Sequence, residues 1–208
     1  MSLLGFFIEQ KAEIFQQLLE HLYLTTLSLS IATVIGISLG LLMLSNKQLA
    51  YIIIGITGVL QTIPSIALLA LCIPFLGIGT LPAIVALILY ALLPIVRNTF
   101  TGITEIAPST IEAARGMGMS PLQVLTKVRL PLAFPMIFAG IRTAAVINIG
   151  VATIAAFIGA GGLGQFIFRG ISMNNANMLF AGAIPAALLA ICIDLLLGSI
   201  QHKFFKIK

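Results

Sequence analysis

Apolar residues run almost without interruption through this chain, and the polar ones gather in a few short stretches. Residues 22–44 hold only small polar interruptions, which is enough helix to cross roughly 30 Å of hydrocarbon at about 1.5 Å per residue. Comparable runs cover residues 50–75, 81–96, 136–158 and 178–200, so the pattern predicts five spans. Ahead of the first, Leu4, Phe7, Ile8, Ile14, Phe15, Leu18 and Leu19 recur at helical spacing among Glu9, Lys11, Glu13 and Glu20. This reads either as an amphipathic helix lying on the membrane or as an extension of the first span, and no chemistry is expected there.

Interruptions within the runs carry information. Gln61, Thr62, Pro64 and Ser65 break the second run, freeing backbone groups at membrane depth. Such a break is tolerated only where it faces protein or water, so the expectation is a kinked segment lining a translocation path, with a simple packing kink as the alternative. A glycine-bearing turn follows at 76–80, and the third run, with Pro82 and Pro94, is expected to end at Arg97. A polar loop is then expected from 98 to 131. Gly36 and Gly40 form a GxxxG pair suited to close helix approach.

Composition narrows the class. The 208 residues are 60% hydrophobic and only 8% charged, with mean hydropathy +1.16, whereas soluble domains are about a quarter charged. This leaves no room for a sizeable soluble domain, and residues 1–208 read as one transmembrane domain without a cleavable signal. The net charge of +5 is scattered singly, without the basic stripe that nucleic acid requires. It reads instead as topology. One side would hold Lys47, Arg97, Arg115, Lys127, Arg129, Lys203, Lys206 and Lys208, and the other Lys11 and Arg169, which puts the N-terminus outside and the C-terminus in the cytoplasm. The tail from His202 is likewise read as topology, with anionic lipid as a neighbour. Cys72 and Cys192 lie inside apolar runs and read as packing thiols, so no metal site is expected.

The polar loop carries its own folding instructions. Ser109 and Glu112 have capping-box spacing, Ala113, Ala114 and Arg115 favour helix, and Gly116 and Gly118 can end it after about two turns. Ser120-Pro121 starts a second helix, while Pro131 and Pro135 are expected to turn the chain toward the membrane. Two alanine methyls in a short helix allow near-backbone contact with a groove on another protein; the alternative is a helix resting on its own bundle.

These residues also carry a resemblance. Glu112-Ala113-Ala114, three residues, Gly118, nine residues and Val128-Arg129-Leu130-Pro131 resemble the EAA loop of permease subunits of type I binding-protein-dependent ABC importers. LQTIPSIALLAL from Leu60, YALLPIVRNTFTGI from Tyr90 and GAGGLGQFIFRGI from Gly159 are similar to the compatible-solute branch, for glycine betaine, choline and carnitine. The resemblance implies an all-α integral membrane fold in a bacterial or archaeal cell membrane. It implies that Glu112, Ala113, Ala114, Arg115, Gly118 and Pro131 couple to an ATPase. It also implies two ATPase subunits holding ATP and Mg, a second permease chain, identical or paralogous, and an extracytoplasmic solute-binding protein. A permease for another small solute, such as an amino acid, and a nucleotide-independent channel or carrier are the alternatives.

Remaining candidates lie at membrane depth. No GxxxxGK[ST] occurs, so nucleotide is expected on another chain. Gly159, Gly161 and Gly164 satisfy GxGxxG but follow a membrane helix rather than a strand, and read as a tight external turn. Arg142 and Asp194 are expected to form a structural ion pair, with Arg97 as a competing partner. Gln61, Thr62, Pro64, Ser65, Tyr90 and Asn148 are the candidate path residues, and Phe75 and Phe157 could add aromatic faces for a quaternary ammonium.

Overall fold

The computed structural model describes residues 2–204; Lys206 and Lys208 of the charge count lie outside them. Among the described residues the regular structure is all helical. α1 (Leu3–Glu9) is short, and α2 (Lys11–Leu42) is one continuous helix. Residues 11–20 therefore extend the first span, and only α1 stands apart. Asn46 caps α3 (Lys47–Thr62), its side chain accepting from Gln48 N at 2.8 Å.

The second run is more sharply broken than a kink. α3 and α4 (Ser65–Leu76) meet at 102°. The cause is local: Pro64 has no amide hydrogen and forces Ile63 out of the helical region, and both residues are extended, with ψ of 129° and 136°. Four helices are long and apolar enough to cross a membrane, and the bent pair counted as one span gives five.

α5 (Thr80–Thr104) is the most enclosed of these. It does not end at Arg97 as expected, because a charge marks the edge of an apolar run without breaking a helix. α2 reaches it through its GxxxG pair: a Cβ on Gly36 would lie 2.7 Å from Ile95 Cγ2, and one on Gly40 2.6 Å from Thr99 Cβ. On its other side, a Cβ on Gly140 would meet the Pro94 carbonyl at 2.7 Å.

After α6 (Pro108–Gly116) the chain re-enters at once. α7 (Pro121–Gln123), a π-helical turn (Val124–Arg129), α8 (Leu130–Ala155) and a 3-10 turn (Ala156–Ile158) run on as one helix, Pro121–Ile158. Pro131 and Pro135 were expected to redirect the chain, but neither ends the helix. The wide turn just before Pro131, with Leu130 N donating to Leu125 O, relieves the clash its ring would make with the preceding carbonyls. The polar loop thus contracts from 98–131 to 105–120. Beyond the glycine turn come α9 (Gly164–Ser172), which sequence reading did not anticipate, and α10 (Ala176–Phe204).

Gly40→Leu is expected to lower the melting temperature of the solubilised protein, reflecting an overpacking cost of about 1–3 kcal/mol. Gly55→Leu, with nothing within 4 Å of its Cβ position, is expected to leave it unchanged in the same thermal unfolding assay.

Candidate functional site: a capped loop helix and a broken span

α6 is built as a small self-supporting unit. Pro108 occupies its first turn and Ala107 is its N-cap, without a side-chain cap bond. The Ser109–Glu112 capping box is therefore not formed: proline presets the helical φ and starts the helix before Ser109, leaving that residue inside it. The other end is well closed. Met119 N donates to Ala114 O at 3.3 Å and Gly118 N to Arg115 O at 2.9 Å, with Gly118 left-handed at φ +81°. This is a Schellman cap, and the left-handed position favours glycine. Ser120 then forms a capping box with Gln123, at 3.3 and 2.8 Å.

The helix has two unlike faces. Ile111 and Ala114 are buried against Val124, flanked by Ile106, Met119 and Val128. Glu112, Ala113, Arg115, Gly116 and Gly118 face outward beside exposed Met117 and Leu122. Of the two alanines expected to meet a partner, only Ala113 is available; Ala114 is 2% exposed and seats the helix on its own bundle. Pro131 is exposed and helps line a groove of about 450 Å³ with Ile37, Thr126, Phe134 and Ile137.

The broken span lies elsewhere. Tyr90, buried in the α4–α5–α8 core, donates its hydroxyl to the Ile63 carbonyl inside the break. Pro64 O accepts from Ala67 N at 2.8 Å and Leu68 N at 3.0 Å, and Thr62 Oγ1 donates to Val59 O at 2.7 Å. Thr62 and Pro64 are exposed, Gln61 and Ser65 half-buried. Tyr90 thus holds the break from inside the core. From Tyr90 to Thr104 is about 21 Å of helix, so the structure does not bring the two candidate sites together; α5 connects them.

Asn148 is wholly buried and donates to Ser28 Oγ at 3.2 Å across α2 and α8. Arg142 and Asp194 meet in bidentate fashion between α8 and α10, Nε to Oδ1 and Nη2 to Oδ2 both at 2.6 Å. Their side chains remain 32% and 38% exposed. Phe75 is 87% exposed, and Phe157 packs on Phe168 with centroids 5.4 Å apart.

One polar constellation escaped sequence reading. Gln17, His21, Thr25 and Ser28 form a buried stripe along α2. His21 Nε2 lies 3.1 Å from Ile149 O, and Gln17 Nε2 donates to Gln165 Oε1 at 3.2 Å. The recurrence of polar residues at i, i+4 and i+3 spacing, running from before the first apolar run into its start, was the available signal. Its partners on α8 and α9 lie more than a hundred residues away.

Similarity to known proteins supplies the family. Residues 32–206 match the family described as "Binding-protein-dependent transport system inner membrane component". The chain belongs to that family. It is 50% identical over 187 residues to the osmoprotectant import permease protein OsmW of Salmonella typhimurium, covering 88% of this chain and 87% of that one. It is 42% identical over 202 residues to the carnitine transport permease protein OpuCB of Listeria monocytogenes, covering 97% and 93%. Among solved structures it resembles an inward-facing form of the MetNI methionine ABC transporter, with TM-score 0.85 and 28% identity over 93% of this chain and 96% of that one. The fold is that of type I ABC importer permeases, and the chain is a multi-pass membrane permease subunit, not itself an enzyme. Its family works with an ATPase and a solute-binding protein.

Ala114→Leu is expected to destabilise the solubilised permease by about 1–3 kcal/mol, and Ala113→Leu to leave its thermal unfolding unchanged. Neutralising Arg142 or Asp194 alone is expected to reduce assembled protein in the membrane, and exchanging the two charges to restore it; quantitative blotting of membrane fractions reads both.

Proposed function

We propose that this chain forms the translocation path of an ATP-driven importer for compatible solutes bearing a quaternary ammonium group, such as glycine betaine, choline or carnitine. The observation that carries the cargo assignment is near-full-length similarity to permeases named for osmoprotectants and carnitine. Coupling runs through α6. Glu112, Ala113, Arg115 and Gly118 on its outward side dock in a groove of the ATPase, while Ala114 fixes the helix to the bundle and Pro131 sits where the following helix re-enters the membrane. Two ATPases, carrying ATP and Mg, act on two permease chains, identical or paralogous, in a bacterial or archaeal cell membrane with the N-terminus outside. An extracytoplasmic binding protein delivers the solute.

Gln61, Thr62, Pro64 and Ser65 line the path at the break, supported by Tyr90, and Asn148 ties α8 to α2 beside it. Because a break in a span is tolerated where it faces water or protein, the exposed Thr62 and Pro64 favour this placement. Closure of the ATPases would move α6, and α5 and the long Pro121–Ile158 helix would tilt as rigid bodies between two access states.

In proteoliposomes containing permease, ATPase and binding protein, Glu112→Lys or Ala113→Leu is expected to reduce ATP-dependent uptake at least about tenfold with assembly intact. Unchanged uptake would remove the coupling assignment. Competition by betaine, choline and carnitine against an amino acid series identifies the cargo.

A further inference from the structure

A second polar site lies where the apolar run of α2 begins. A cavity of about 360 Å³ opens there between α2, the start of α5 and the glycine turn before α9. Glu20, Tyr23, Thr80, Gly161 and Gln165 line it. Glu20 is held at both oxygens: Gly162 N donates to Oε2 at 3.1 Å and Gln16 Nε2 to Oε1 at 3.2 Å. A Cβ on Gly161, left-handed at φ +86°, would stand 2.4 Å from Glu20 Oε2. Only a glycine backbone approaches the carboxylate this closely without displacing it.

The charge of Glu20 is unmatched. The ion pairs among the described residues are Arg142–Asp194 and Arg169–Glu13. Arg169, the cation on the adjoining helix, is thus engaged by Glu13 at 2.7 Å and also donates to Gln165 Oε1 at 3.2 Å. A fixed carboxylate without a protein counter-charge, beside a tyrosine that is 60% exposed, asks for a mobile cation. A divalent metal ion would need several more oxygen ligands, and no group of three His, Cys, Asp or Glu side chains gathers anywhere among the described residues. A quaternary ammonium has no hydrogen to donate, so it does not compete with the two donors that fix Glu20, and it favours an aromatic face.

We propose that this cavity receives the quaternary ammonium head of the solute, between the Glu20 carboxylate and the Tyr23 ring, before the solute reaches the broken span. The assignment rests on the cargo being a quaternary amine. The Glu20 charge supplies attraction, and Tyr23 supplies a face for the methyl groups. A solute with its own carboxylate is held less firmly than choline, because that group carries the same sign as Glu20.

Equilibrium binding of radiolabelled choline to the permease–ATPase complex in nanodiscs, without binding protein, tests this. Saturable choline binding, competed by tetramethylammonium, is expected, and Glu20→Gln is expected to weaken it about tenfold. Glutamine retains an acceptor for Gly162 N, so the melting temperature should not change; if it falls, Tyr23→Leu at its exposed position decides, with weaker binding expected there as well. Absence of tetramethylammonium competition, or wild-type affinity in both variants, overturns the site. The cargo reading is separate: ATP-driven choline uptake with unaltered KM in Glu20→Gln would sink the cavity and leave the importer standing. Tetramethylammonium binding lost in Glu20→Gln, without uptake of any quaternary amine by the wild type, would support the cavity and sink the cargo.

Discussion

The fold depends on how closely other helices can approach α5. Hydrocarbon offers no hydrophobic drive to bring helices together, so association relies on close packing and on interhelical hydrogen bonds. α5 meets both needs. The side chains of Ile95 and Thr99 lie where Gly36 and Gly40 of α2 have no Cβ, and the Pro94 carbonyl and Asn98 stand against Gly140 of α8. Asn98 Nδ2 also donates to Pro94 O at 2.7 Å, which keeps a polar side chain satisfied inside the bundle. Tyr90, on the same helix, reaches into the break of the neighbouring span. One rigid rod thereby packs against α2, α3, α4 and α8.

Several polar groups elsewhere are satisfied in the same way. Thr25, Ser28, Thr57 and Thr104 return their hydroxyls to carbonyls one turn back, a local solution suited to a medium without water. Arg142 and Asp194 satisfy each other with two parallel bonds, the geometry in which a guanidinium and a carboxylate are best matched. Both charges would be costly alone at this depth. The break at Ile63–Pro64 is tolerated for the same reason: its carbonyls find Tyr90 and the first amides of α4.

Much of this was legible in sequence, because hydropathy runs and proline positions act locally. The five apolar runs, the interruption at Gln61–Ser65, the GxxxG approach and the Gly118 stop all rest on residues within a turn or two of one another. What was not legible depended on competition or distance. Pro108 displaced the helix start that Ser109 and Glu112 suggested. Ala114 turned inward because Val124, on the next helix, completes its seat. Arg97 failed to end α5 because a charge does not break a helix and Ile103 beyond it packs on Ala133 and Ile137, and a π-helical turn carried the chain through Pro131. Pro64 signals the break locally, but not how sharp it is, 102°. The Glu20 environment needed the glycine turn folded back across the chain.

In the proposed mechanism, α5 and the Pro121–Ile158 helix connect nucleotide-driven movement of α6 to the break in the second span. The most direct measurement replaces Cys72 and Cys192, introduces Thr62→Cys, and follows its reaction with a water-soluble thiol reagent in the assembled transporter, with and without a non-hydrolysable ATP analogue. Nucleotide is expected to change the labelling rate severalfold, and an additional Glu112→Lys to abolish the change. Equal labelling in both nucleotide states, in a complex that transports, would contradict it.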